Sequence, residues 1–185
     1  MKVASRMLTG ALLLAAPCAF AQSTALGTAN AKANILYAIS ISKIADLSFG
    51  DIVSDTSVQH VTIAPDGTRS GGGTGDILAS SQSAIAAAKF TVSGSPGRAF
   101  GITLPADNTV TITSPGTSGM TPMNVDTFTS NPTGTGGTLS GSYDSAATAV
   151  TAGTATLTVG ARLTVAASQV AGGYTGTFTV TVAYN

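Results

Sequence analysis

His60 is the only histidine in this sequence, and it lies between Gln59 and Val61 in a run that alternates like a β-strand. There is no glutamate, and beyond Cys18 no cysteine, that could share a proton or a metal with it. It therefore reads as a strand residue facing solvent and not as a general base. Asp46, Asp51 and Asp55 could offer carboxylates to calcium alongside backbone carbonyls. Their spacing departs from that of a calcium loop, so solvated turn residues are the expectation. Gly71-Gly-Gly-Thr-Gly75 has the glycines of a phosphate loop but neither its lysine nor the helix that follows, and reads as a flexible connection. Sugar-binding sandwiches stack ligands on aromatic faces, yet the chain has no tryptophan. Tyr37, Tyr174 and Tyr184 fit strand positions, which leaves only Tyr143, in a Gly/Ser-rich loop. No catalytic, cofactor-binding or metal-ligating set emerges, and a protein that is not an enzyme and uses no cofactor is expected.

The N-terminus has the layout of an export signal. Lys2 and Arg6 precede an apolar run from Met7 to Ala16, and Ala19-Phe20-Ala21 supplies small residues for cleavage before Gln22. That run is too short to span a bilayer, so no membrane insertion is expected once residues 1–21 are removed. Cys18 leaves with the signal, and the remaining chain must be stable without a disulfide. Losing Lys2 and Arg6 leaves six basic residues against eight acidic ones, a net charge of about −2. Such a surface gives no electrostatic reason to expect nucleic acid as a partner. Threonine, serine, glycine and valine are plentiful while good helix formers other than alanine are scarce, which favours an all-β chain.

Residues 22–32 are small and polar and read as a flexible leader, followed by a β-sandwich over 33–185. Alternation starts at Ala33, with Ile35, Tyr37, Ile39 and Ile41 on one side of a first strand. Asp46-Leu-Ser-Phe-Gly50 predicts a turn that points Leu47 and Phe49 inward and bends at Gly50. A strand over 58–63 leads to a turn at Pro65-Asp-Gly67, and residues 68–75 form a loop or hairpin end. The alanines of 83–88 allow one helical turn before a strand at 89–93 with Phe90 and Val92 inward. Residues 94–97 then predict a hairpin into a strand at 99–104. Further strands are expected at 109–113 and around 123–128, the latter with a bulge where the phase slips between Val125 and Phe128. Residues 131–137 read as loop. Leu157, Val159, Ala161, Leu163 and Val165 keep one parity across Gly160, as in a single long strand. Gly172-Gly173 then delivers the chain into the last strand. There Tyr174, Gly176, Phe178, Val180, Val182 and Tyr184 share one face. Many short strands divided by turn residues describe an antiparallel β-sandwich.

Two resemblances rest on these residues. Ile39-Ser-Ile-Ser, Asp46-Leu-Ser-Phe-Gly50, Phe90-Thr-Val-Ser-Gly94, Met120, Leu157-Thr-Val-Gly160, Leu163 and the 173–184 stretch together resemble a proteobacterial family of secreted proteins classed as a domain of unknown function. That resemblance implies export and a β-sandwich, immunoglobulin-like or pilin-like, and no assured activity. The C-terminus is also similar to that of chaperone–usher pilins and spore-coat-type subunits: Tyr184 is penultimate and Gly172 stands fourteenth from the end. In pilins the corresponding strand pairs with a periplasmic chaperone and then flanks a groove filled by the next subunit's N-terminal segment, a case of β-augmentation. Pilin donor segments present bulky alternating residues, whereas this leader offers Ala25, Gly27, Ala29 and Ala31, and the other donor within reach is 35–41.

The resemblance implies an exported structural or surface subunit of pilus or fimbria type, bound for the periplasm, cell surface or medium. Its implied partners are itself in a filament, a periplasmic chaperone and an outer-membrane usher. Its implied pairing residues are Ile35, Tyr37, Ile39, Ile41, Gly172, Tyr174, Phe178, Val180, Val182 and Tyr184. The alternative is a self-complete monomeric sandwich that binds a surface glycan or matrix ligand through loops 65–76 and 130–147.

Overall fold

The computed structural model describes residues 24–72, 78, 83–114, 116, 120–134, 136–141 and 151–185. Among them there are eleven strands and no helix: β1 (Ser40–Ala45), β2 (Ser48–Phe49), β3 (Gln59–Ile63), β4 (Arg69–Gly72), β5 (Ile85–Ala86), β6 (Ala88–Gly94), β7 (Phe100–Thr103), β8 (Val110–Ile112), β9 (Met123–Asn131), β10 (Gly153–Val165) and β11 (Thr181–Tyr184). The fold is all-β, with antiparallel sheets curled around the core. Residues 1–33 separate as one unit from 34–185.

The 13-residue β10 organises the sheet. Its buried parity, Leu157, Val159, Ala161, Leu163 and Val165, puts a continuous apolar row on one face, with Thr154, Thr156, Thr158 and Thr164 on the other. One edge of β10 carries two strands end to end, β6 against residues 153–159 and β3 against 161–165. Gly160 sits at the joint, where a Cβ would lie 2.1 Å from the Ile63 carbonyl oxygen. At that point β3 leaves the ladder, turns through Pro65, Asp66 and Gly67 (φ 88°) and returns as β4. The other edge of β10 carries β9. The expected phase slip in β9 is a bulge at Thr127, φ 49°, opposite the register shift between Gly160 and Arg162. A positive φ is rare for a β-branched residue, and the Asp107 carboxylate accepts from Thr127 N at 2.7 Å to hold it.

Outside β6 lies β1, and outside β9 lies β8. Residues 174–184 run past β8 and β7 in turn, bridging Thr113 at Thr175 and pairing Phe100–Thr103 through β11. The sequence β1, β6, β10, β9, β8, terminal segment is antiparallel at every step. Five reversals make β1 and the terminal segment antiparallel to each other, and among the described residues no ladder joins them. Two buried clusters, one around Val92, Phe100 and Leu157 and one around Val125 and Leu163, are bridged by Leu47, Phe128 and Phe178.

Several sequence expectations need correction. The first strand begins at Ser40 rather than Ala33, because Ser40 pairs with Ser93 and β6 ends one residue later, so the β6 ladder does not reach residues 33–39. Ile35 is accordingly 86% exposed, while Ile39 and Ile41 pack on the core in the expected phase. Residues 83–88 hold no helical turn: β5 pairs with β2, and Ala88 is buried at the start of β6. Residues 94–97 do not close a hairpin either, since β6 pairs with β1 and β10 while β7 pairs with β11. That turn carries the chain from one sheet to the other around the fully buried Ser95. His60 is half-buried rather than exposed, its Nδ1 3.2 Å from Thr164 Oγ1.

Candidate functional site: an open groove beside the terminal strand

The missing ladder between β1 and the terminal segment leaves a groove of about 810 Å³. Its floor is the inner face of the large sheet, lined by Phe90, Val110, Ile112, Val125 and Leu163. One wall is the stretch 45–52, which turns at Gly50 (φ 73°). Arg69 on β4 pins that wall by donating from Nη1 to the carbonyls of Phe49 and Asp51, each at 3.0 Å. The Asp51 carboxylate holds it from the other side, accepting from Ser83 Oγ at 2.6 Å and Ser83 N at 3.2 Å. At the rim Lys43 and Asp46 form an exposed ion pair at 2.7 Å, which contributes little to stability.

The second wall is formed by residues 169–178. Gln169 Nε2 donates to Thr121 O at 2.7 Å and to the Tyr174 hydroxyl at 2.8 Å, and that hydroxyl donates to Val170 O. At Gly172 a Cβ would lie 2.5 Å from Met120 Cε, and at Gly176 one would lie 2.4 Å from Thr111 O, so both glycines serve close approach. Phe178 meets Phe128 with ring centroids 5.2 Å apart. The inward parity of this strand is incompletely covered: Val180 is buried, but Tyr174, Phe178, Val182 and Tyr184 are only half-buried. The described ladder pairs of the terminal strand lie at Thr175 and at 181–184, all on the side of β8 and β7. Residues 176–178 therefore flank the groove without a ladder among the described residues.

Of the pairing residues read from sequence, Gly172, Tyr174 and Phe178 line the groove. Val180, Val182 and Tyr184 continue that strand beside β7, Ile39 and Ile41 pack on the core, and Ile35 and Tyr37 lie ahead of β1. The wall at 45–52, Gln169 and Arg69 were missed. Leu47 and Phe49 signalled only that the stretch faced inward, and no local pattern tells which other strand it faces.

Asp46, Asp51 and Asp55 do not converge. Asp46 pairs with Lys43 and Asp51 with Ser83, while Asp55 accepts from Thr56 N at 2.6 Å and Gln59 Nε2 at 3.0 Å. The backbone N–H of Thr56, followed by the Ser57 hydroxyl, lowers the Asp55 carboxyl below its ordinary range. Among the described residues no three His, Cys, Asp or Glu side chains are grouped to hold a metal. Tyr143, residues 73–76 of the glycine loop and residues 1–21, where an export signal is expected, lie outside the described residues.

Opposite the groove, on the outer face of the sheet, Arg162 Nε donates to Asp126 Oδ1 at 2.8 Å. The guanidinium beside it holds the Asp126 carboxyl below its usual value of 3.8. A depressed carboxylate stabilises the fold above its unfolded pKa, and that stability is lost as pH falls through the folded value. Asp126→Asn is thus expected to lower the urea midpoint at pH 7, and the gap to the parent should close below about pH 3.8. Urea titrations of both chains across pH 2–7 check this.

No curated protein and no solved structure matches the chain. Over residues 39–184, which take in the groove, both its walls and the terminal strand, the chain matches and belongs to the family described as a domain of unknown function, DUF4402.

Proposed function

We propose that this chain is an exported, non-enzymatic structural subunit of pilus or surface-filament type that assembles by β-strand complementation. The observation that carries this reading is the groove itself. It is one ladder short of closure among the described residues, floored by core side chains, and flanked by residues 176–178. A strand laid there would complete the ladder with main-chain hydrogen bonds and place alternate side chains on Phe90, Ile112 and Phe178. An open sheet edge beside uncovered apolar surface is a liability that proteins rarely leave without a partner. In this reading the partners are other copies of the chain, with a periplasmic chaperone and an outer-membrane usher covering the groove before assembly.

The donor is the segment ahead of β1. Residues 24–39 contain no strand, and Leu26 and Ile35 are 95% and 86% exposed. The small residues of 25–31 would fill the groove less well than aliphatic ones, each absent CH₂ forgoing about 0.8 kcal/mol, so Ile35, which shares their parity, supplies the main apolar contact. Because Ile39 and Ile41 belong to the subunit's own core, a clean test removes residues 22–36 only. That deletion is expected to leave the urea midpoint unchanged and to abolish filaments in negative-stain electron micrographs. Filaments of normal length from the truncated chain would refute the donor assignment.

A further inference from the structure

The far end of the terminal strand closes on the place where the leader departs. The Tyr184 hydroxyl accepts from Ser95 N at 2.6 Å and donates to Tyr37 O at 2.8 Å, while Tyr37 N donates to Ser95 Oγ at 2.7 Å. These three bonds tie together residues 37, 95 and 184. Ser95 is fully buried, and Gly94 leaves the phenol its space, since a Cβ there would lie 2.2 Å from the Tyr184 oxygen. The clasp is thus built into the corner between the two sheets.

The same strand flanks the groove. It is anchored at Thr175 and again at 181–184, and the intervening 176–180 carry no described ladder. That stretch has the fewest main-chain ties of the strand, and it is the stretch to which an inserted strand would add them. An extended backbone advances about 3.3 Å per residue with little slack, so its two ends are mechanically linked. Hydrogen bonds of 2.6–2.8 Å do not survive a displacement of about 1 Å without losing most of their strength.

We propose that the terminal strand couples the two halves of assembly: a strand seated in the groove steadies 176–180, and Tyr184 then holds Tyr37, fixing the leader in the direction from which it reaches the next subunit. This rests on the strand-acceptor reading above. Growth becomes ordered as a result, because a subunit that has accepted a strand is the one prepared to offer its own. The coupling is reciprocal, so holding the leader tightens the groove's grip by the same factor. Tyr184 acts here as a positioning residue, through Tyr37 and Ser95, and does not touch the incoming strand.

The test follows amide hydrogen exchange by NMR in the isotope-labelled mature chain at low concentration, with and without an unlabelled synthetic peptide of residues 24–36. In the parent chain the peptide is expected to slow exchange at 176–180 and, at least about fivefold, at the Tyr37 and Ser95 amides. In Tyr184→Phe, which keeps the ring and loses both hydroxyl bonds, only 176–180 should respond. Ser95→Ala, which removes the acceptor for Tyr37 N, should uncouple Tyr37 in the same way and guards against a folding defect peculiar to one variant. Protection at 176–180 with no change at Tyr37 and Ser95, or equal coupling in the parent and Tyr184→Phe, overturns the coupling and leaves the groove as a strand acceptor. No protection anywhere overturns both.

Discussion

Gly160→Val is expected to destabilise the domain by about 3 kcal/mol or more, enough to leave much of the protein insoluble. Gly160 lies in the middle of β10, where the ladder passes from β6 to β3. A Cβ at this position would stand 2.1 Å from Ile63 O, 2.7 Å from Ala64 C and 2.9 Å from Pro65 N. All three atoms are main chain, and the turn they belong to is closed by Ala64 N donating to Thr68 O and Gly67 N donating to Ala64 O. Nothing flexible can yield, so β3 must leave its register on β10. Gly72→Ala is the matched control: no atom lies within 4 Å of its Cβ position, and a change within about 0.5 kcal/mol is expected. Urea midpoints of the two variants measure the contrast.

Ile112→Trp should separate folding from assembly. Ile112 is half-buried on β8 and opens onto the groove floor, so an indole there occupies the space of an incoming side chain. Filaments are expected to disappear and the affinity for the 24–36 peptide to fall by at least about tenfold, or 1.4 kcal/mol, while the domain stays folded. Thr111→Trp adds comparable bulk one residue away on the exposed face of the same strand and should leave assembly intact. Equal loss in both variants would mean that β8 tolerates no bulk on either face, and the groove assignment would fall.

Strand phase was legible in the sequence because alternation is a local signal. The single parity from Leu157 to Val165 became one 13-residue strand, and the slip between Val125 and Phe128 became the bulge at Thr127. What alternation does not carry is the partner. Residues 33–39 alternate as well as 40–45 do, yet only the latter have β6 opposite them. Turn residues at 94–97 specify a change of direction but not which sheet receives the chain. The sheet is selected by Tyr184, 89 positions away in sequence, which holds Ser95 in the corner. The alanines of 83–88 favour a helical turn in isolation, and pairing of β5 with β2 overrides that preference. The groove has the same origin. Tyr184 and Gly172 pointed to one wall, while the other wall at 45–52 is defined by Arg69 and Ser83, contacts between segments that no local pattern relates.

Whether the groove takes a strand from another copy is read from the assembly state of residues 22–185, followed by sedimentation velocity and negative-stain electron microscopy as concentration rises. Linear polymers are expected, and so is their loss when residues 22–36 are removed. A chain that stays monomeric at high concentration, and unfolds reversibly as one unit, would contradict that expectation.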